Sequence, residues 1–266
     1  MEKNLKPILE QAHINAVRVT GPGDIRRAAE AFHHIAYDLA QMRVAIAHDI
    51  ADKRTPVDEK GAILAHEVFG WPDDERVWWR NSRIALDSPI TAACRFESEP
   101  FWVNPEGFHS RLTNNYLNLI ALNNFEQRAL TRSALVVPVH LPFGQIGVVS
   151  YNPVDRTRMD LSEEFEVNGD ALGIYARTFI ASYVQVTSEA QRLPPGTRLS
   201  KREVECLRWA AIGKTDLEIS MIIGRSRATV RFHIHNASIK LDAVNRSQTV
   251  FKAAQLGYIS LSQLSS

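Results

Sequence analysis

Two complete helix-start signals and a third capping residue follow closely on one another near the end of the chain. Ser200-Lys-Arg-Glu203 and Thr215-Asp-Leu-Glu218 are capping boxes, in which a hydroxyl and a glutamate each satisfy a free backbone N–H of the first helical turn. Gly213 and Gly224 can adopt the left-handed conformation that ends helices, and Ser226 can cap a third helix. The spacing therefore predicts short helices joined by tight turns.

The third predicted helix has two chemically different sides. Its inward side repeats at helical spacing at Val230, Ile234, Ala237 and Leu241. Its opposite side carries Arg227, Ala228, Arg231, His235 and Ser238. Two short helices joined by a glycine turn, the second with cations on its outer face, are typical of a helix-turn-helix, whose second helix enters the major groove of DNA.

The residue types on this face suit DNA recognition. The planar fork of Arg231 can bond guanine O6 and N7 together, and His235 lies one turn further along the same face. The predicted base-contacting residues are Arg227, Ala228, Arg231 and His235. The residues predicted to contact phosphate, which would fix the register without reading sequence, are Lys214, Thr215, Arg225, Thr229, Lys240 and Arg246.

Charge divides the chain into two parts. From Thr197 onward there are eleven Lys and Arg and five acidic residues, a net charge of +6, whereas residues 1–196 carry −5. The basic part is the candidate for binding a polyanion. Pro194-Pro195-Gly196 cannot continue a helix or a central strand. The predicted organisation is an N-terminal domain over 1–186, a linker over 187–198 and a DNA-binding domain over 199–266.

The N-terminal domain is predicted to be α+β. Helices are predicted over Asp24–Met42 and from Ser162 to about Val186. Strands are predicted over Arg43–Asp49, Ala62–Val68, Ala134–Leu141 and Gln145–Tyr151, the last two joined through Pro142–Gly144 as an antiparallel hairpin. The expected fold is an α/β/α sandwich with an antiparallel sheet, followed by an all-α four-helix helix-turn-helix domain.

The segment from Leu199 to Ile259 resembles the LuxR-type, or GerE-like, DNA-binding domain. It matches the family's Leu-Ser/Thr-x-Arg-Glu, Gly-Lys-Thr, Glu-Ile-Ser/Ala and Thr-Val-x-x-His motifs, and its Lys-Leu followed by Asn-Arg. The resemblance implies a transcription factor that binds a pseudo-palindromic operator in double-stranded DNA as a homodimer. It also implies that a fourth helix, from about Asn245 to Leu256, contributes to the DNA-bound dimer.

Residues 71–104 resemble the ligand-binding domain of acyl-homoserine-lactone receptors. Trp71-Pro72 matches that family's Tyr-Pro step, Trp79 replaces a tyrosine, and Pro89 matches the proline of an Asp-Pro step. Glu75 stands where the family has the tryptophan that bonds the lactone carbonyl. A buried carbonyl left without that indole N–H costs roughly 1–3 kcal/mol. We therefore expect a quorum-sensing type of regulator whose signal differs from a standard acyl-homoserine lactone.

The resemblance also assigns pocket residues. Aromatic side chains would supply apolar surface, with Asp87 and Ser150 as polar anchors. The residues predicted to bind the ligand are Trp71, Trp78, Trp79, Asp87, Phe101, Trp102, Val136 and Ser150. The expected ligand is a small organic molecule, either an acyl-homoserine lactone or a related signal.

Other types of N-terminal domain make different predictions. A phosphorylated receiver domain should begin with a strand ending in paired acids, whereas this chain opens with helices. A further alternative is a LuxR-type regulator that is controlled by protein partners rather than by a ligand, and the sequence leaves this alternative open. An enzyme is disfavoured, because the chain lacks His-x-x-x-His, His-Glu-x-x-His, Cys-x-x-Cys and Gly-x-Ser-x-Gly motifs. We expect no catalytic residues, metal or cofactor.

The sequence also predicts the compartment. Cys94 and Cys206 are too few for a disulfide framework, and no N-terminal run resembles a signal peptide. The most apolar region, 134–151, is interrupted by two prolines, a histidine and a glutamine, so it is not expected to span a membrane. A cytoplasmic protein is the expectation.

Overall fold

A computed structural model describes residues 9–52, 54–72, 86–187 and 198–260. The described chain forms two compact units, an N-terminal one over residues 9–141 and 145–187 and a C-terminal one over residues 198–260. Most of the predicted linker, together with Glu75, Trp78 and Trp79, lies outside the described residues.

The N-terminal unit contains helices and a five-stranded sheet. Its strands are β1 Met42–Ala47, β2 Phe101–Asn104, β3 Gly107–Ser110, β4 Ala134–His140 and β5 Ile146–Pro153. Its described helices are α1 Gln11–Val17, α2 Ile25–Ala40, α3 Leu64–Glu67, α4 Pro89–Ala93, α5 Phe125–Ala129 and α6 Ser162–Thr187.

The sheet has the strand order β1-β5-β4-β2-β3, and neighbouring strands are antiparallel. The predicted hairpin is confirmed as β4 and β5, with Val136 opposite Ser150 in the register. Ser150 is in turn opposite Ala45 of β1. A receiver domain would need parallel strands joined by crossover helices, so this sheet excludes that alternative.

Each face of the sheet has its own apolar core, because side chains alternate between the two faces along a strand. On one face, β-strand residues such as Tyr151 pack with Phe32 of α2 and Phe179 of α6. On the other face, Val136 and Val148 pack with residues of α4 and α5. The predicted α/β/α sandwich is therefore confirmed.

One predicted strand is wrong. Residues 62–68 contain the short helix α3 instead, because the buried side chains of Leu64, Ala65 and Phe69 recur at helical rather than alternating spacing. The predicted first long helix also ends earlier, at Ala40, since Gln41 adopts a left-handed conformation with φ of 53°. None of the described helices combines the length and the apolar character needed to cross a membrane.

Four helices form the described C-terminal unit, as predicted. They are α7 Lys201–Ala211, α8 Asp216–Ile223, α9 Arg227–Lys240 and α10 Arg246–Gln255. Their common core includes Cys206, Leu207, Ile219, Val230, Ile234, Ala237, Leu241 and Ala253. The predicted helix starts at Ser200, Thr215 and Ser226 are all confirmed as capping residues.

Gly147 marks a close approach between β5 and α6. A Cβ at this position would lie 2.7 Å from Ile180 Cγ2 and 3.3 Å from two backbone carbonyl oxygens, which leaves no room for a methyl group. We expect Gly147→Ala to lower the free energy of unfolding of the N-terminal unit by about 1–3 kcal/mol, because overpacking displaces neighbouring groups. Calorimetric unfolding of the full chain measures this. Gly23→Ala, where nothing lies within 4 Å, is the matched control, and equal stability of the two variants would contradict the prediction.

Candidate functional site

A buried glutamate fixes the start of the first C-terminal helix. Ser200 Oγ accepts a hydrogen bond from the Glu203 amide at 3.3 Å, and Glu203 Oε2 accepts one from the Ser200 amide at 2.7 Å. Lys240 Nζ donates to both carboxylate oxygens of Glu203 at 2.8 Å. Burial raises the pKa of Glu203, but the Lys240 ammonium and the Ser200 amide outweigh it and hold that pKa below its ordinary value. Lys240, predicted to contact phosphate, is therefore bound within the unit and ties α9 to α7.

A tight turn joins α8 to α9. Gly224 ends α8 in the left-handed conformation with φ of 62°, which a glycine adopts without steric cost. Two residues later, Ser226 Oγ accepts the Thr229 amide at 3.1 Å and starts α9. The turn is therefore that of a helix-turn-helix, with α9 in the place of the recognition helix.

The two sides of α9 differ as the sequence predicts. Val230 and Ala237 are completely buried, and Ile234 is 8% exposed. The exposed residues of the opposite side include the four predicted to contact bases, Arg227, Ala228, Arg231 and His235. These four side chains share one open face of a helix whose other side is the core of the unit.

The carboxylate of Asp216, at the start of α8, lies between two arginines. One of its oxygens binds Arg246 Nη1, and the other lies 3.9 Å from Arg231 Nε. Arg246 Nη2 also donates to the Lys214 carbonyl at 2.6 Å. Arg246 is therefore engaged inside the unit. Arg231, with 68% of its side chain exposed, has a single long, solvent-screened ion pair among the described residues.

The remaining residues predicted to contact phosphate are engaged to different degrees. The hydroxyls of Thr215 and Thr229 take part in capping contacts, and Lys214 Nζ lies 3.6 Å from an exposed glutamate carboxylate. Within residues 198–260, Arg225 and Arg227 have no acidic partner. These two arginines flank the start of α9 and keep their full charge available to an anion.

A second candidate site is a cavity of about 530 Å³ in the N-terminal unit. It lies on the sheet face opposite α2 and α6, where Ala45, Val148, Ser150 and Asn152 line it from β1 and β5. Its other lining residues are Arg43, Trp71, Pro72, Ser88, Ile90, Thr91, Glu126, Arg128, Ala129, Leu130, Thr131, Arg132, Ser133, Pro153, Asp155, Arg156 and Arg158. The volume is typical of a small-molecule site.

Hydrogen bonds hold the polar groups of the cavity in place. Asn152 Nδ2 donates to the Ser150 carbonyl at 3.0 Å and to Ser150 Oγ at 3.2 Å. Ser133 Oγ donates to the Arg158 carbonyl at 2.7 Å. Such fixed polar positions among apolar side chains can orient a ligand.

The predicted ligand-binding residues do not all meet at this cavity. Trp71 and Ser150 line it. Phe101 and Val136 lie opposite each other in the sheet and are completely buried in the core of the same face, without lining the cavity. Asp87 does not line it either, and its carbonyl accepts Arg128 Nε at 2.9 Å.

Trp102 lies on the opposite face of the sheet. It belongs to the core formed with α2 and α6, and its ring stacks on His109 with 3.7 Å between the ring centroids. Neighbouring residues of a strand face opposite ways, so Phe101 and Trp102 cannot both reach one cavity. Trp78 and Trp79 lie outside the described residues.

The sequence analysis missed several cavity residues. Arg43 was visible as a polar residue in β1, because it alternates with the buried Met42 and Val44. Asn152 sits opposite Arg43 in the register of β1 and β5. Arg128 comes from α5 and Ser133 from the segment between α5 and β4, which the sequence does not place relative to the sheet.

Burial shifts the pKa of both cysteines and of two histidines. It raises the pKa of Cys94, and it raises the pKa of Cys206 to about 11, so neither thiol is readily ionised. It lowers the pKa of His33 and of His48. Among the residues that the structure describes, no three metal-ligating side chains form a group that could hold a metal ion.

Comparison with known proteins assigns the C-terminal unit to a family. The family model described as "Bacterial regulatory proteins, luxR family" matches residues 197–253. The transcriptional activator AhyR of Aeromonas hydrophila is 30% identical over 180 residues, which cover 67% of this chain and 67% of AhyR.

Two further matches are shorter or more distant. The transcriptional activator VanR of Vibrio anguillarum is 34% identical over 128 residues, covering 48% of this chain and 52% of VanR, so the match spans about half the length of VanR. A crystal structure of Escherichia coli SdiA is 24% identical, covers 89% of this chain and 95% of that chain, and has a TM-score of 0.44.

The contact between Lys240 and Glu203 makes a testable contribution to stability. We expect Lys240→Met to lower the free energy of unfolding of the C-terminal unit by about 1–3 kcal/mol, because a carboxylate that is 4% exposed loses its partner. The pKa of Glu203 is lowered in the folded chain. The contribution is therefore present above the ordinary glutamate pKa and is lost as the pH falls through the lowered value.

Urea unfolding of the full chain between neutral and acidic pH measures both effects. Lys201→Met, which removes an exposed lysine from the same pair of helices, is the matched control. If Lys240→Met were as stable as this control at neutral pH, the pair would not stabilise the unit.

Proposed function

The chain belongs to the LuxR family of bacterial regulatory proteins, and from this premise we propose that it is a sequence-specific DNA-binding transcriptional regulator that responds to a small organic molecule. The observation that carries the DNA-binding part is the open face of α9. Arg227, Arg231 and His235 are exposed there, while the opposite side of the same helix is buried.

Arg231 is proposed to read bases. Its guanidinium is largely exposed and has only a 3.9 Å contact to Asp216, so it can exchange that contact for two hydrogen bonds to guanine at little cost. Arg227, Ala228 and His235 would contact bases beside it, the alanine through a thymine methyl group.

Arg225 and Lys214 are proposed to contact phosphates. Arg225 has no acidic partner in the described C-terminal unit, and Lys214 has a long contact to an exposed carboxylate. Thr215 and Thr229 stand at the N-termini of α8 and α9, where backbone N–H groups favour phosphate. Arg246 would act partly through Asp216, which it holds in place. Lys240 is not proposed to contact phosphate, because its ammonium is bound to Glu203.

We propose a homodimer on a pseudo-palindromic operator. Two copies of α9 would then enter successive major-groove faces about one helical turn apart. The exposed apolar side chains of Val244 and Phe251, at and beside α10, offer a surface for such a contact.

The proposed sensor is the cavity in the N-terminal unit. Its volume, its apolar floor and its fixed hydroxyl and amide groups suit a small organic ligand better than a protein partner, which would need an open surface. Ligand binding would stabilise the N-terminal unit and the dimer, and thereby set the spacing of the two recognition helices.

We expect Arg231→Ala to relax the preference for one base pair. Binding to the selected operator should weaken by about 1–3 kcal/mol, or roughly 5- to 150-fold in affinity. Selection from a random duplex pool with the full chain supplies the operator. Fluorescence anisotropy on that operator and on its single-base variants, at several salt concentrations, then measures the ranking of sequences.

Arg208→Ala is the matched control, since it removes one exposed arginine from α7 rather than from α9. It should leave the ranking of sequences unchanged. Should Arg231→Ala preserve the ranking as well, the assignment of α9 as the reading helix would be wrong. Absence of any duplex preference in the unaltered chain would refute DNA recognition itself.

A further inference from the structure

The lining of the N-terminal cavity is unusually cationic for a site that takes a neutral molecule. Five arginines line it: Arg43, Arg128, Arg132, Arg156 and Arg158. Only two acidic residues, Glu126 and Asp155, line the described part of the same cavity. The excess of positive charge lies in a unit whose sequence, over residues 1–196, carries a net charge of −5.

Two of the five arginines are neutralised by the protein. Arg132 Nε lies 3.2 Å from Glu126 Oε2, and Arg158 is paired with Glu164. Asp155 accepts the amide and the hydroxyl of Thr157 at 2.9 and 2.7 Å. The acids of the cavity are therefore already engaged.

The other three arginines lack a carboxylate in the described ranges. Arg128 Nε donates to the Asp87 carbonyl and Nη1 donates to the carbonyls of Ala121 and Asn123, and no described carboxylate balances its charge. Arg156 is exposed and has no acidic partner there, and Arg43 is half-buried and has none either. A partly buried cation without a counter-charge is costly, so it favours an anion that can reach it.

Two contacts hold the guanidinium of Arg43 in place at the cavity. Its guanidinium carbon lies 5.3 Å from the centroid of the Trp71 ring, and Nη2 donates to the Gly70 carbonyl at 3.1 Å. Trp71 is itself fixed, because Nε1 donates to the Val44 carbonyl at 2.6 Å. A guanidinium has five N–H donors, and the described residues engage one of them, which leaves donors for a bidentate contact with carboxylate or phosphate.

The floor of the cavity suits the body of such a ligand. Ala45, Ile90, Ala129 and Val148 contribute apolar side chains beside Trp71. We propose that the cavity binds a small organic anion, a carboxylate or phosphate monoester on an apolar body, with the anionic group on Arg43. This inference rests on the proposed sensor function and names the chemical class of its ligand.

The test compares anions with uncharged molecules of the same shape on the full chain. The anions are octanoate, phenylacetate and octyl phosphate, and their uncharged counterparts are methyl octanoate, phenylacetamide and octanol. Octanoyl-homoserine lactone represents neutral lactones. We expect at least one anion to raise the melting temperature by several degrees at millimolar concentration, while its counterpart does not, because a ligand that binds only the folded chain stabilises it. The carboxylates and the phosphate separate the two anionic groups.

Variants locate the effect. Arg43→Gln should weaken binding of the stabilising anion at least tenfold in calorimetric titration, and Arg43→Lys, which keeps the charge, should lose less. Arg18→Gln removes an exposed arginine of the same unit away from the cavity and should change nothing. The comparison of anions with uncharged molecules on the unaltered chain needs no variant to fold.

The outcomes separate the inference from the proposed function. If an uncharged counterpart or the lactone stabilises the chain as strongly as the anions do, the anion inference is overturned and the sensor proposal stands. The same holds if only the uncharged molecules stabilise the chain. Loss of anion binding in Arg18→Gln equal to that in Arg43→Gln also overturns it. If no compound of either kind stabilises the chain, both the inference and the sensor proposal fail, whereas the DNA-binding proposal is judged by its own assay.

Discussion

Burial of one side of α9 determines the direction of every cation that the helix carries. Val230, Ile234 and Ala237 are fixed in the core of the C-terminal unit, so Arg231 and His235 on the other side of the helix face outward. A rotation of the helix that exposed Arg231 less would expose apolar surface, at about 25 cal/mol per Å². The exposed face of α9 therefore needs no stabilising contact of its own, and its arginines can remain largely exposed.

Two acidic side chains of the C-terminal unit, Glu203 and Asp216, determine which of its basic residues remain available. Glu203 binds Lys240 and so joins α7 to α9, and Asp216 binds Arg246 and so joins α8 to α10. The difference lies in exposure. Glu203 is almost fully buried in its contact with Lys240, whereas the contact of Asp216 with Arg231 is long and open to solvent. A count of basic residues does not separate these roles, since all of them contribute equally to the net charge.

The sequence predicts the C-terminal unit better than the N-terminal site for a physical reason. Capping boxes and left-handed glycines act between residues three or four apart, so Ser200, Thr215 and Gly224 could be interpreted locally. The hairpin of β4 and β5 is also local. The cavity depends on which strands are neighbours, and β1 lies beside β5 although about a hundred residues separate them.

The predicted pocket shows the same limit. The motif resemblance predicted that Phe101 and Trp102 both bind the ligand. Adjacent residues of a strand face opposite sides of the sheet, and Trp102 belongs to the core formed with α2 and α6. Conversely, Arg43 and Asn152 are far apart in sequence and opposite each other in the sheet. In the proposed sensor, a half-buried arginine in that position would make folding less favourable until an anion binds. Ligand binding and stability of the N-terminal unit would then be coupled by mass action alone, so a signal could change the amount of DNA-competent dimer without a specific movement between the units.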